Sequence, residues 1–303
     1  MLIVDGHCDT LYRCREAGQS LWKNSMHWDI ERALAAGVGI QFMALYNDQE
    51  NYPEALTVAM EQIALLKAAV DKGQVHLITR MQDLDDLQTI GVILHLEGGL
   101  ALGHNSDLLP LFYHLGLRSL GLTWNHRNQL ADGIGVDNPS GLTDLGRKII
   151  KQVEKLGMIV DIAHLAAPGV EEILDNYSGT VVYTHGNYRE VHDHRRNITT
   201  HQAKKLAERG GVIGLSLCPY FISTQPGIED WLQHLCRLCS DIGCEYVALG
   251  SDFDGDDHML FDDVGFYKML PDLLSQAGFT SQEAEMITGG NWLRVLKRTL
   301  SLS

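Results

Sequence analysis

Short apolar runs alternate with segments of helical period along the whole chain, and this alternation constrains the fold more than any other feature. Eight runs are β-branched or aliphatic with little polar alternation, as in parallel strands buried on both faces. They cover residues 2–4, 38–45, 92–96, 120–123, 158–162, 180–183, 212–217 and 246–249. Eight strands alternating with helices predict one TIM-type (β/α)8 barrel, an α/β domain spanning residues 1–303. The alternative is a doubly wound open sheet, whose G-x-G-x-x-G fingerprint is absent after the first run.

The segments between the runs carry helix signals. Asn51 and Pro53 are suited to the start of a helix. The apolar stripe that follows consists of Leu56, Ala59, Ile63, Leu66 and Val70. Thr280 and Glu283 form the capping box of a later helix, and residues 141–156 and 199–207 also have helical patterns. We expect these helices to pack on the outside of the barrel.

Charge and hydropathy exclude two classes of partner. Lys and Arg total 24 and Asp and Glu total 39, a formal net charge of −15. A surface this acidic repels phosphate backbones and anionic lipid, so we expect neither nucleic acid nor a membrane as a partner. No apolar run approaches the roughly 18 residues of a membrane helix. The first residues also lack the pattern of a secretory signal peptide, which predicts a cytoplasmic protein.

Two further motifs admit a metal interpretation that other features disfavour. Cys236-x-x-Cys239 resembles half of a zinc site, but its segment has helical spacing and no second pair follows, which favours buried thiols. Asp254 and Asp256 suggest a calcium loop of the pattern Asp-x-Asp-x-Asp that begins at Asp252. Counted from Asp252, the sixth position of this loop is Asp257 rather than Gly and the twelfth is not Glu, which disfavours an EF-hand.

Ionisable side chains follow the ends of five predicted strands. They are His7 and Asp9, Glu97, Asp161 and His164, His185, and finally Asp252 and Asp254. In a barrel the carboxyl ends of the strands meet at one mouth, so these side chains are expected to converge. Imidazoles with carboxylates suit Zn²⁺ or a similar divalent ion. The set exceeds what one tetrahedral ion with an open position needs, and it is sufficient for two ions bridged by a carboxylate. The alternative for any single strand-end histidine is a structural hydrogen bond.

The same residues, in the same order, resemble the membrane (renal) dipeptidase family of zinc peptidases, within the amidohydrolase superfamily. The matching segments are Asp5-Gly-His7-x-Asp9-Thr10, Leu96-Glu97-Gly-Gly, Val160-Asp161-Ile-Ala-His164-Leu165, Thr184-His185-Gly-Asn, Arg195-Arg196-Asn197-Ile198-Thr199, Gly210-Gly-Val-Ile-Gly214, Gly250-Ser-Asp252-Phe-Asp254-Gly255 and Gly289-Gly290-Asn291. No single segment is decisive, but the ordered set is specific.

The resemblance implies a barrel that holds two zinc ions per chain. By position, His7 and Asp9 would hold one ion, and His164 and His185 the other. Glu97 would bridge the two ions. A hydroxide between them would then hydrolyse free dipeptides, including L-Xaa-D-Xaa dipeptides.

The resemblance assigns roles to further residues and to assembly. Asp252 would orient the attacking water and carry its proton to the leaving amine. Arg196 would clamp the terminal carboxylate of the dipeptide, a task suited to a planar guanidinium. His95 shares the strand face of Glu97, which places it to support a metal ligand. The family also implies a homodimer.

One segment departs from the family pattern. Related enzymes often carry a histidine directly after the Thr of a Leu-Thr-His strand end, and here Trp124 follows Thr123. His126 shares the parity of Trp124 on an extended chain and is a candidate to supply the missing imidazole. Alternatively, Trp124 walls off the side-chain pocket and narrows substrate choice. Tyr220 is a further candidate pocket residue, with packing as its alternative role.

Two other functions stay open at this stage. A lactonase, phosphotriesterase or deaminase of the same superfamily commonly bridges its metals with a carbamylated lysine, but Glu97 rather than a lysine occupies the candidate position here. A catalytically inactive metal-binding protein is the other alternative, which Trp124 supports.

Overall fold

A closed ring of parallel strands forms the centre of the molecule. The computed structural model describes residues 1–49, 51–85 and 87–301. The strands in these ranges are β1 (Ile3–Cys8), β2 (Val38–Leu45), β3 (Val75–Leu77), β4 (Ile90–Glu97), β5 (Leu117–Gly121), β6 (Ile159–Asp161), β7 (Val181–Gly186), β8 (Ile213–Leu215) and β9 (Val247–Leu249).

Strand pairing closes the ring. The order is β2-β1-β9-β8-β7-β6-β5-β4, and β2 also pairs with β4, so eight strands form a barrel. The short strand β3 pairs only with the beginning of β4, outside the ring. The predicted (β/α)8 barrel is therefore confirmed and the open sheet is wrong. Each of the eight predicted runs overlaps one strand of the ring.

Helices follow most of the strands and cover the outside of the barrel. They are α1 (Thr10–Ala17), α2 (Ile30–Ala35), α3 (Tyr52–Asp71), α4 (Leu108–Leu115), α5 (Asp144–Lys155), α6 (Ala167–Asn176), α7 (Thr200–Glu208), α8 (Pro219–Ile222), α9 (Ile228–Ile242), α10 (Leu270–Gln276), α11 (Ser281–Glu285) and α12 (Asn291–Leu300). The predicted capping box is present at α11, where the Thr280 hydroxyl accepts from the Glu283 amide at 3.2 Å. Among the described residues, no helix combines the length and apolarity that a bilayer crossing requires.

The last helix closes one end of the barrel. Apolar side chains from the early residues of several strands form a core that is separate from the outer one, and Trp292, Val295, Leu296 and Leu300 of α12 belong to it. The Trp292 indole donates to the Leu249 carbonyl at 2.8 Å. A Cβ at Gly6 would lie 2.4 Å from the same ring, so glycine is required there. With this end filled, the carboxyl ends of the strands provide the open mouth.

Candidate metal centre

Five side chains predicted as metal ligands meet at the open mouth. His7 lies in β1 and Asp9 directly follows it; Glu97 is the last residue of β4. His164 follows β6, and His185 lies near the end of β7. All five side chains are buried. The parallel strands thus place residues that are distant in sequence at one location.

The Glu97 carboxylate lies between two pairs of these residues. Its Oε2 is 3.5 Å from His7 Nε2, which is itself 3.3 Å from Asp9 Oδ2. Its Oε1 is 3.0 Å from His164 Nε2 and 3.5 Å from His185 Nε2. One carboxylate oxygen of Glu97 therefore faces His7, and the other faces both His164 and His185, an arrangement that suits a carboxylate bridging two ions.

Several buried polar atoms at the centre lack the partners that burial normally requires. Both ring nitrogens of His7 and the Oδ1 of Asp9 have no hydrogen-bond partner. The Nε2 atoms of His164 and His185 lie 2.9 Å apart, a contact that needs a shared proton or a cation. Since buried polar groups are nearly always satisfied, these nitrogen and oxygen atoms fit the coordination of a cation. Imidazole nitrogens with carboxylate oxygens are the ligands that zinc accepts.

The other ring nitrogens of two histidines are held by the protein. His164 Nδ1 is 2.8 Å from Asn125 Oδ1, and His185 Nδ1 is 2.9 Å from Thr184 Oγ1. These contacts turn both Nε2 atoms toward Glu97, as is usual for histidines that bind metals. Asn125 was not predicted from the sequence, although it lies in the strand-end segment next to Trp124.

The charges at the centre also favour a cation. Burial, followed by the nearby Glu97 charge, raises the pKa of Asp9 to about 8. Burial likewise raises the pKa of Asp252 to about 6. Burial acts in the same direction on Glu97, but His7 and His164 outweigh it and hold that pKa well below its usual value. Three carboxylates in one buried place need compensating positive charge.

Asp252 adjoins the centre in a strained backbone conformation. Its φ is +67°, in the left-handed region that a residue with a Cβ rarely adopts. Its Oδ2 accepts a hydrogen bond from the Ser216 hydroxyl at 3.3 Å. Ligand atoms of His7, Asp9 and Asp252 all lie within 4.8 Å of one another. Asp252 is therefore beside the candidate metal ligands and is anchored by Ser216.

The two disfavoured metal motifs do not form sites within the described ranges. Cys236 and Cys239 lie on α9, and all six cysteines are free. The carboxylate of Asp254 is already used, because it accepts from the Thr10 hydroxyl at 2.5 Å and from the His27 amide at 2.7 Å. No group of candidate metal ligands in the described residues contains either motif.

A cavity of about 630 Å³ lies over the centre, and Arg196 lines it. This side chain is 4% exposed, and its guanidinium donates to the Tyr183 hydroxyl at 3.2 Å and to the His185 carbonyl at 3.3 Å. Its buried Nε has no partner. Tyr220 lies at the rim of the same cavity with 56% of its surface exposed. The cavity thus offers a fixed cation beside the centre.

Trp124 lines both this larger cavity and a smaller one of about 300 Å³. Its ring is edge-on to Tyr46 and to His126, with centroid distances of 5.4 Å in each case. His126 is exposed and borders the smaller cavity but not the larger one. Glu97 borders both cavities, so both lead to the same centre.

Comparison with known proteins identifies the family. The family model described as membrane dipeptidase (peptidase family M19) matches residues 1–303. The chain belongs to this family. It is 27% identical to dipeptidase 3 of Rattus norvegicus over 98% of its length, but it spans only 64% of the rat protein. It is 26% identical to dipeptidase tcpJ of Claviceps purpurea over 97% of its length and 76% of the fungal protein.

Solved structures of metallopeptidases have the same fold. A metallopeptidase from Rhodobacter sphaeroides, liganded with a phosphinate mimic of the dipeptide L-Ala-D-Ala, superposes with a TM-score of 0.92 at 25% identity, covering 99% of both chains. The M19 metallopeptidase dipeptidase AC gives 0.91 at 26% identity, also over 99% of both chains. The family predicted from the sequence motifs is therefore confirmed.

Proposed function

We propose that this M19 protein is a dipeptidase that holds two zinc ions and hydrolyses the peptide bond of free dipeptides. The observation that carries the proposal is the position of Glu97, which has one carboxylate oxygen near His7 and the other near His164 and His185. In this proposal His7 and Asp9 hold one ion, and His164 and His185 the other. A glutamate bridge also distinguishes this centre from barrels that use a carbamylated lysine.

The protein residues around the ions would carry the proton and the substrate. When bound, two zinc ions supply an acidified water and a polarised peptide carbonyl. Asp252 is hydrogen-bonded by Ser216 and lies beside His7 and Asp9, so it would accept a proton from the attacking water. It would then return this proton to the amine that leaves.

Arg196 gives the substrate its orientation in this proposal. A guanidinium in a fixed position binds a carboxylate strongly, and Arg196 lies next to the carbonyl of the ligand His185. The C-terminal carboxylate of a dipeptide at Arg196 would leave the scissile bond over the centre. The R. sphaeroides structure contains a mimic of L-Ala-D-Ala. We therefore include L-Xaa-D-Xaa dipeptides among the proposed substrates.

The smaller cavity would receive the side chain of the N-terminal residue. It shares Trp124 and Glu97 with the larger cavity that Arg196 lines. Trp124 would then limit the size of this side chain, with His126 at the outer wall and Tyr220 at the rim of the larger cavity. In this arrangement His126 does not supply an imidazole at the reacting carbonyl.

The test is an assay of purified, zinc-loaded protein on dipeptides of both stereochemical classes. We expect hydrolysis that a chelator abolishes and that added zinc restores. Asp252→Asn should lower kcat by about 10²–10⁴-fold, the usual contribution of a general acid–base, while it keeps both ions. Bound zinc without turnover of any dipeptide would favour the inactive binding protein. Turnover of lactones or deaminase substrates alone would favour the other hydrolases.

Two features stay predictions from the sequence and from family resemblance. These are a homodimer and a cytoplasmic location. Sedimentation velocity of the purified protein would test the first, and cell fractionation the second.

A further inference from the structure

His95 is a buried imidazole directly beneath the candidate centre. It lies on β4 two residues before Glu97, is fully buried, and has its ring edge-on to His7 at a centroid distance of 5.6 Å. Its Nδ1 is 2.9 Å from the Ser119 hydroxyl. Its Nε2 has no hydrogen-bond partner and lies 3.5 Å from Asp161 Oδ2. The buried, unpartnered nitrogen of His95 costs free energy that an apolar side chain in the same place would not.

Asp161 connects this imidazole to a proposed metal ligand. Its Oδ1 accepts hydrogen bonds from the amides of Ala163 and Thr184, both at 3.0 Å. Its Oδ2 accepts from the Thr184 hydroxyl at 2.5 Å. The oxygen of that hydroxyl is 2.9 Å from His185 Nδ1. The residues from His95 to His185 therefore form a buried polar path, which we call the His95–His185 relay. Its links are hydrogen bonds except the first, where His95 Nε2 lies 3.5 Å from Asp161 Oδ2.

The direction of the hydrogen bonds follows from the chemistry of the groups. A neutral His95 whose Nδ1 accepts from the Ser119 hydroxyl carries its proton on Nε2, which lies 3.5 Å from Asp161 Oδ2. Because Thr184 donates to Asp161, its oxygen is left to accept from His185 Nδ1. This arrangement leaves the lone pair of His185 on Nε2, which faces Glu97.

We infer that His95 is a positioning residue that fixes the tautomer and ring orientation of His185 through Asp161 and Thr184. The inference rests on the proposed zinc centre. The relay joins β4, β6 and β7, since Asp161 ends β6 and Thr184 lies in β7, while Ser119 of β5 contacts the other nitrogen of His95. Strand β4 would thereby supply both the bridging ligand and the support for a ligand three strands away.

The first experiment compares His95→Leu with His95→Gln by zinc competition against a chromophoric chelator. His95→Leu removes the donor, and we expect one of the two zinc ions to bind about 10–100-fold more weakly, the usual effect of losing such support. His95→Gln keeps a donor near the position of Nε2 and should recover most of this affinity. The spectrum of the Co²⁺-loaded protein should change in His95→Leu, because it reports the ligand geometry directly.

His234→Leu is the matched control. His234 is equally buried but accepts from the Tyr188 amide and contacts the Ile222 carbonyl, away from the relay. The His234→Leu substitution should lower the thermal stability of the protein and leave its affinity for both zinc ions unchanged. Equal loss of zinc affinity in His95→Leu and His234→Leu would show a general effect of removing a buried histidine and would overturn the inference.

The second experiment tests the path itself with Thr184→Val. We expect it to weaken the same zinc ion, and the double variant with His95→Leu should lose no more than the larger single effect, since both break one relay. Additive losses, or wild-type zinc affinity in His95→Leu, would overturn the role of His95 while leaving the zinc centre intact. A wild-type protein that binds no zinc would remove the proposed centre itself, and the inference with it.

Discussion

Backbone conformations at the strand ends direct the key side chains into the mouth. In the described ranges four residues other than glycine have a positive φ, and His164 and Asp252 are two of them. A third, Asp254, has its carboxylate fixed by Thr10 and His27. Such conformations carry strain and persist where the surrounding structure holds them. At this centre the strained backbone directs the side chains of His164, a proposed metal ligand, and Asp252, the proposed proton carrier.

Arg196→Ala tests the proposed carboxylate clamp. A hydrogen-bonded charge contributes about 1.5–3 kcal/mol, so KM for dipeptides should rise about 10- to 150-fold. Bound zinc, measured by elemental analysis, should stay unchanged. Arg189→Ala is the control, because Arg189 is on the same loop, pairs with Asp193 at 2.8 Å and does not line the larger cavity. An unaltered KM in Arg196→Ala would contradict the clamp.

Trp124→Ala tests the proposed limit on side-chain size. Removing the ring joins the two cavities, so kcat/KM for dipeptides with a bulky N-terminal residue should rise relative to Ala-Ala by about tenfold or more, or 1.4 kcal/mol. A series with bulky C-terminal residues should show no such change. Trp124→Phe keeps an aromatic wall and is the control. A shift in the C-terminal series instead would place the smaller cavity at the other end of the substrate.

The residue patterns predicted which side chains converge, but not how the loops divide the mouth. The spacing of His7 and Asp9 on one strand was sufficient to place them on one side. The same parity argument placed His126 with Trp124, and their rings are indeed adjacent. His126 nevertheless lies outside the larger cavity, because the chain leaves the extended conformation after β5. Single polar residues such as Ser216 carry no signal that identifies them from sequence.

At the scale of elements, the barrel was predictable because buried parallel strands are continuous apolar runs. The three-residue β3 was missed, since Val75 is its only buried residue and His76 faces solvent. Helix α12 (Asn291–Leu300) was also missed. Its apolar residues predict an amphipathic helix, but an amphipathic pattern does not say whether the helix covers the side of a barrel or its end. The hydrogen bond from the Trp292 indole to the Leu249 carbonyl of β9 holds α12 at the end of the barrel.

Trp292→Ala tests the closure of the barrel by α12. Removing a fully buried Trp should lower the free energy of unfolding by about 3–5 kcal/mol. Denaturant unfolding monitored by circular dichroism measures this change. Trp22→Ala is the control because Trp22 is 39% exposed, and its effect should stay within about 0.5 kcal/mol. Equal effects of the two substitutions would contradict the closing role.

At the scale of the molecule, the candidate centre joins strands from both ends of the sequence, so ligand binding should stabilise the whole barrel. Zinc at 100 times its Kd adds about 2.7 kcal/mol, which corresponds to a rise in Tm of roughly 5 °C for a domain of this size. Glu97→Gln should bind fewer than two ions and show a smaller rise. Differential scanning calorimetry with elemental analysis measures both. An unchanged zinc content in Glu97→Gln would remove Glu97 from the bridge.

The closure of the barrel by α12 has a consequence for how the protein is made. Ribosomes extend a chain at roughly 5–20 residues per second, so β1 and Trp292 leave the exit tunnel some tens of seconds apart. Throughout that time the apolar strand residues that α12 covers are available to other nascent chains and to chaperones. The barrel can complete its fold only after nearly all of this sequence has been translated.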